Sequence, residues 1–273
     1  GNFFGGTAMR ELLNVKSLWD YLKTAQKPIL LYGMGNGADM IIKVLDENCI
    51  PWQDTFASDG FVRGHFFHGK RVLSFTEAKE KYGDFIILMT FAVHDEKTMN
   101  FIKEVSESYE LYSPTMSVVD GTPFTYEFFL ENEREFEKAY NLLADEKSKE
   151  DYLNILRYKI SGDTRYLFIA HSEKMGIYSE ILCLGENETI VDLGAYDGDT
   201  IREFTEATGG AYSKIIAFEP DSKNFRKLTE KTSHMKNLER HNLGAWDKKE
   251  TLYFAKKSGR NSRLEDGGVP VEF

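Results

Sequence analysis

The sequence predicts an α/β protein made of two Rossmann-like three-layer α/β/α domains joined by a helical connector. Three observations predict it. Twice an apolar run enters a glycine turn and leaves as an amphipathic segment, first at "ILLYGMGNGADM" and again at "IVDLGAYDGDT". Around both turns strand-like and helix-like stretches alternate, which is the pattern of parallel βαβ units. Between them, "TYEFFLENEREFEKAYNLLADEKSKEDYLNILRYKI" has no Gly or Pro and is heavily charged, as suits helices. The expected boundaries are residues 1–120, 121–165 and 166–273.

Taken in order, residues 9–25 read as one amphipathic helix, with Leu12, Leu13, Val15, Leu18, Trp19 and Leu22 near helical spacing. A strand, the first glycine turn and a helix follow. Further strands are expected at residues 52–57 and 85–90, and a helix at Glu96–Ser108. The connector reads as two helices broken near residues 145–148. Its Phe128, Phe129, Phe136, Tyr140 and Leu143 need cover from a domain or from a second subunit, so a homo-oligomer is an expectation. In the last domain "ETIVDLG", "SKIIAFEPD", "LERHNLGAW" and "ETLYFA" read as strands. "DTIREFTEATG" and "SKNFRKLTEKTS" read as helices.

Composition excludes some functions. A net charge of −10 over 273 residues argues against nucleic acid, which needs Lys and Arg to neutralise phosphates. Cys49 and Cys183 form no CxxC pair, so neither a disulfide framework nor a zinc cluster is expected; no metal is expected at all, and a reducing compartment fits. No apolar run approaches the ~18 residues of a membrane span, and the first ten residues lack the order of a signal peptide. A cytoplasmic protein is the expectation.

The second glycine turn holds more polar chemistry than a turn requires. Gly194 and Gly198 would let the backbone approach a ligand, and Ala195 and Tyr196 lie between them. Asp192 stands at the strand end, while Asp199 and Thr200 open the helix and can cap it. Glu219, followed by Pro220, ends the next strand 21 residues after Gly198. That is near the offset of about 20 residues at which Rossmann-type sites place the acid that grips ribose hydroxyls. A nucleoside-containing ligand follows. The spacing is not G-x-G-x-x-G, and Asp197 and Asp199 would repel a pyrophosphate. S-adenosylmethionine suits the turn better, because it carries a ribose and cationic groups and no phosphate.

At this point the residues resemble a family. "VDLGAYDGDT", then "IIAFEPDSKNFRKL" and "NLGAWDKKETLYF", look like the FkbM-type S-adenosylmethionine-dependent methyltransferases over residues 166–273. The resemblance implies a class I methyltransferase fold and O-methylation of a hydroxyl on a sugar, a glycan or a related small molecule. By position it implies that Asp192, Gly194, Tyr196, Gly198 and Thr200 line the methionine end and that Glu219 holds the ribose. Residues 241–246 would border the adenine. The family's further acidic strand would come after "GGVPVEF", so a C-terminally truncated chain is expected and the methyltransferase fold is expected to be incomplete. No catalytic base is assigned. His234 and His241 are weighed against structural roles, and Ser262 and Arg263 against a solvated loop.

The first glycine turn fits G-x-G-x-x-A through Gly33, Gly35 and Ala38, and Asp59 lies 21 residues after Ala38. On spacing it is a second candidate nucleotide site, for NAD or a sugar-nucleotide, or an empty structural turn. His65 and His68 stand at i, i+3 without a third metal ligand nearby. Two alternatives to the methyltransferase reading stay open: an NAD- or sugar-nucleotide-binding enzyme run from the first turn, and a non-catalytic nucleotide-binding or assembly protein.

Overall fold

A computed structural model gives the architecture and describes residues 8–61, 64–93, 95–116, 124–171, 176–249, 251–254 and 269–272. The chain divides into two compact units, residues 1–171 and 172–273. It is an α/β fold with parallel central sheets.

The first unit opens with α1 (Met9–Leu13) and α2 (Leu18–Thr24). The single expected helix is therefore broken. Asn14 takes a left-handed conformation, φ 47°, which Asn tolerates better than most residues. The break lets the two halves enter different cores. β1 (Ile29–Tyr32), α3 (Asn36–Glu47) and β2 (Asp54–Ala57) follow. The short β3 (Phe66–Phe67) and β4 (Lys70–Arg71) form a hairpin. Then come β5 (Leu73–Ser74), α4 (Phe75–Tyr82), β6 (Ile86–Met89), α5 (Glu96–Ser108) and β7 (Glu110–Tyr112). The strands build a parallel sheet in the order β5-β2-β1-β6-β7. One face is covered by Phe75 and Ala78 of α4 with Ile102 and Val105 of α5. The other is covered by Leu18 and Leu22 of α2 with Ile41 and Leu45 of α3. Both faces of β1 and β6 are thus buried, and both strands read as uninterrupted apolar runs.

Where two helices were expected between residues 125 and 160, three form: α6 (Tyr126–Glu131), α7 (Glu133–Leu142) and α8 (Glu146–Ser161). The expected break is the cap of α8, where Asp145 accepts the Ser148 N–H at 2.8 Å. Part of their aromatic side is covered within the first unit, while Phe128 stays 40% exposed. Phe129, fully buried, packs with Met9 and Leu13 of α1 and with Leu153, Leu156 and Ile160 of α8. The short α9 (Arg165–Ala170) closes the unit.

The second unit carries β8 (Thr189–Leu193), α10 (Asp199–Ala207), β9 (Lys214–Phe218), α11 (Ser222–Lys231) and β10 (Leu238–His241). Its parallel sheet runs β10-β9-β8, so β8 is an edge strand among the described residues. Ile201 and Phe204 of α10 and Leu228 of α11 cover one face through Ile215 and Ala217. On β8 the alternate residues Val191 and Leu193 are 53% and 61% exposed. β11 (Thr251–Phe254) does not join this sheet. It pairs antiparallel with β12 (Val269–Glu272) in a separate hairpin. No helix among the described residues is long and apolar enough to cross a membrane.

Candidate functional site

The parallel pairing of β8 with β9, Leu193 beside Phe218, sets the candidate site. It places the turn after β8 next to the residue after β9. The N–H groups of Gly194 and Ala195 both donate to the Phe218 carbonyl, at 2.8 and 2.9 Å. From there the chain turns left-handed at Gly194 (φ 97°), Tyr196 (φ 48°) and Gly198 (φ 86°) before α10 begins. The left-handed region costs a residue with a Cβ about 1–2 kcal/mol, so Tyr196 must be held there by its surroundings.

Glu219 holds it. Its Oε2 accepts the Tyr196 N–H at 2.8 Å and its Oε1 accepts the Asp221 N–H at 2.8 Å. The side chain is 5% exposed. Burial raises its pKa above the ordinary carboxylate value, and the two N–H groups pull the other way. Pro220 follows it, and Asp221 caps α11 by accepting from the Lys223 and Asn224 N–H groups.

The two glycines do different work. A Cβ on Gly194 would meet nothing within 4 Å, so this backbone is open to a ligand. On Gly198 it would lie 3.0 Å from Thr232 Cγ2 and 3.2 Å from Leu228 Cδ1. Gly198 therefore serves the packing of the turn on α11.

The acids also divide. Asp197 pairs with Lys231, and Arg202 stands 3.7 Å from it. This carboxylate is neutralised by the far end of α11. Asp199 accepts the Thr200 N–H at 3.0 Å, whereas Gly198 occupies the N-cap position itself and Thr200 is exposed. Asp192, half-buried at the end of β8, has its Oδ2 buried without a hydrogen-bond partner. Burial first, and then the charge of Asp199, raise its pKa.

Asn242 falls within the segment 241–246 expected to border the adenine, but sequence reasoning gave it no role of its own. Its amide nitrogen donates to the carbonyls of Glu219 at 2.8 Å and Pro220 at 3.1 Å. An amide donates and accepts at once, so an Asn just past a strand end was the available signal. His241 stacks on Phe218 with ring centroids 4.8 Å apart, and His234 is exposed. Neither is brought beside Asp192 by any contact described. Ser262 and Arg263 lie outside the described residues.

The first glycine turn also follows a strand end. Gly33 (φ 105°) and Gly35 (φ 96°) are left-handed, and Gly35 faces open space. Ala38 is buried in the helix–sheet core. Asp59 lies elsewhere in the hydrogen-bonding scheme: one oxygen accepts the Thr76 N–H at 3.1 Å, the other the Thr76 hydroxyl at 2.7 Å. These bonds hold its pKa below the ordinary value and tie it to the start of α4. His68 contacts Asp39 at 2.7 Å on the hairpin. Among the described residues no group of three His, Cys, Asp or Glu side chains is placed to hold a metal ion.

Against solved structures, the chain matches the crystal structure of methyltransferase FkbM from Methylobacillus flagellatus KT. The TM-score is 0.58 at 18% identity, over 83% of this chain and 66% of that one. The fold is FkbM-methyltransferase-like. The chain spans just under two thirds of that protein's length. No family model matches the sequence, and no curated protein does.

Proposed function

We propose that the second unit binds S-adenosylmethionine and that the protein is an O-methyltransferase acting on a hydroxyl of a sugar, a glycan or a related metabolite. The observation that carries the reading is the orphaned Asp192 oxygen beside the open Gly194 turn, with a second carboxylate, Glu219, buried at the next strand end. A buried anion without a partner favours a ligand that brings a positive charge or a donor. The ammonium of S-adenosylmethionine is such a group. Its ribose would meet the lone pairs that Glu219 keeps beyond its two backbone bonds.

When bound, the cofactor supplies a methyl group already activated by its sulfonium. The protein's own part is to orient cofactor and acceptor in line and to neutralise charge. Asp192 holds the cationic end, the Gly194 backbone lies against the ligand, and Glu219 fixes the nucleoside. The acceptor hydroxyl must also lose its proton, and no base is assigned to that step. With Asp197 neutralised by Lys231, Asp192 is the charge that disfavours a phosphate ligand.

Calorimetry on the full chain tests the reading. S-adenosylmethionine should bind and NAD should not, and Glu219→Ala should abolish binding while Gly35→Val leaves it intact. Binding of NAD, lost in Gly35→Val, would shift the function to the first unit. Binding of neither would favour a non-catalytic role.

A further inference from the structure

The backbone of the left-handed Tyr196 is held by Glu219, and that residue is itself held. The Tyr196 N–H reaches Glu219 Oε2 at 2.8 Å, while the Glu219 N–H donates to the His241 carbonyl at 3.0 Å. The Glu219 carbonyl accepts from Asn242 Nδ2 at 2.8 Å. Asn242 Oδ1 in turn accepts from the Ser222 hydroxyl at 3.0 Å. A continuous set of bonds therefore runs from the end of β10, through the end of β9, to the turn after β8.

We propose that Glu219 and Asn242 are positioning residues that shape the turn at residues 194–198 before any ligand arrives. Asn242 fixes the backbone on which Glu219 stands. Glu219 carries that placement to the Tyr196 amide and keeps a residue with a Cβ in a conformation it would otherwise leave. A carboxylate is needed here, because both of its oxygens face N–H donors. Glutamine would turn an NH₂ toward one of them and leave two donors opposed. The inference gains its functional meaning from the reading that this turn holds S-adenosylmethionine. A carboxylate that shapes the turn and also meets the ribose would make ligand occupancy and turn geometry one event.

The test uses the full chain in five forms: wild type, Glu219→Gln, Asn242→Ala, Tyr196→Gly, and Glu219→Gln combined with Tyr196→Gly. The first measurement is amide hydrogen exchange at Tyr196 and Asp221 without ligand. The second is calorimetric affinity for S-adenosylhomocysteine, with Tyr196→Gly alone as reference. Glu219→Gln keeps an acceptor for only one of the two amides, so it should speed exchange at Tyr196 or Asp221 and weaken affinity by about tenfold or more, a loss of about 1.4 kcal/mol. Asn242→Ala should move both in the same direction, and it carries the test if Glu219→Gln does not fold. Tyr196→Gly relieves the left-handed strain and should restore part of the affinity lost in Glu219→Gln. Unchanged exchange at both amides in the Glu219 and Asn242 variants would overturn the proposal. So would a loss of affinity that Tyr196→Gly does not relieve, because that is the behaviour of a direct contact alone. If exchange responds as expected while no form binds S-adenosylhomocysteine, the positioning roles stand and the cofactor reading falls.

Discussion

A carboxylate buried without a partner sits badly until something brings it a positive charge, and Asp192 pays that cost in the free protein. Burial and Asp199 raise its pKa, so the folded chain holds a proton there more tightly than the unfolded chain. The stability from this group is then greatest at low pH. It falls as pH rises from the ordinary carboxylate range through the raised value. Asp192→Asn should therefore melt above wild type near neutral pH, with the gap closing on acidification, and should bind S-adenosylmethionine more weakly. Thermal melts across pH, beside calorimetry, check both halves. The glycines permit a second comparison. Gly194→Ala meets no atoms but must hold a positive φ, at a cost of about 1–2 kcal/mol. Gly198→Ala has that strain and also presses on Thr232 and Leu228, so about 2–4 kcal/mol is expected. Urea unfolding of the two variants should rank them in that order. The spacing from Gly198 to Glu219 was visible in the sequence because it is a local property of one βαβ unit. The ion pair of Asp197 with Lys231 was not, since the two residues are 34 positions apart and meet only once α11 packs on the turn.

At the level of elements, the approach of α3 to β6 is set by one residue. A Cβ on Gly37 would lie 1.9 Å from the Thr90 carbonyl oxygen, a backbone atom that cannot swing away. No positive φ is involved, so Gly37→Ala isolates the steric effect, and a loss of about 3 kcal/mol is expected by equilibrium unfolding. Elements with their own punctuation were legible. Asp95 caps α5 through the Thr98 N–H, and the expected span Glu96–Ser108 is the observed one. Elements defined by tertiary demand were less so. The apolar spacing through residues 9–25 continues across Asn14, yet Met9 and Leu13 belong to one core while Leu18 and Leu22 belong to another. Periodicity records that a face is apolar and not which partner covers it. The same limit left Asn242 without a role inside its expected segment, because periodicity carries no sign of its bonds to the Glu219 and Pro220 carbonyls and the Ser222 hydroxyl.

For the whole molecule, two compact units with separate hydrophobic cores should not unfold as one. Scanning calorimetry is expected to resolve more than one transition. Added S-adenosylmethionine should raise only the transition of the second unit, by about 2.7 kcal/mol at a hundredfold excess over Kd. A single transition that moves as a block would show that the units are coupled. The edge strand β8 has a different consequence, for the protein as a colloid. A strand edge unpaired among the described residues, with Val191 and Leu193 exposed beside it, is a surface on which chains stack when they are crowded. What keeps copies apart is the net charge of −10, and salt screens that repulsion to a Debye length of about 8 Å at physiological strength. Solutions of this protein should therefore stay monodisperse longest at low ionic strength, and added salt should hasten their clouding.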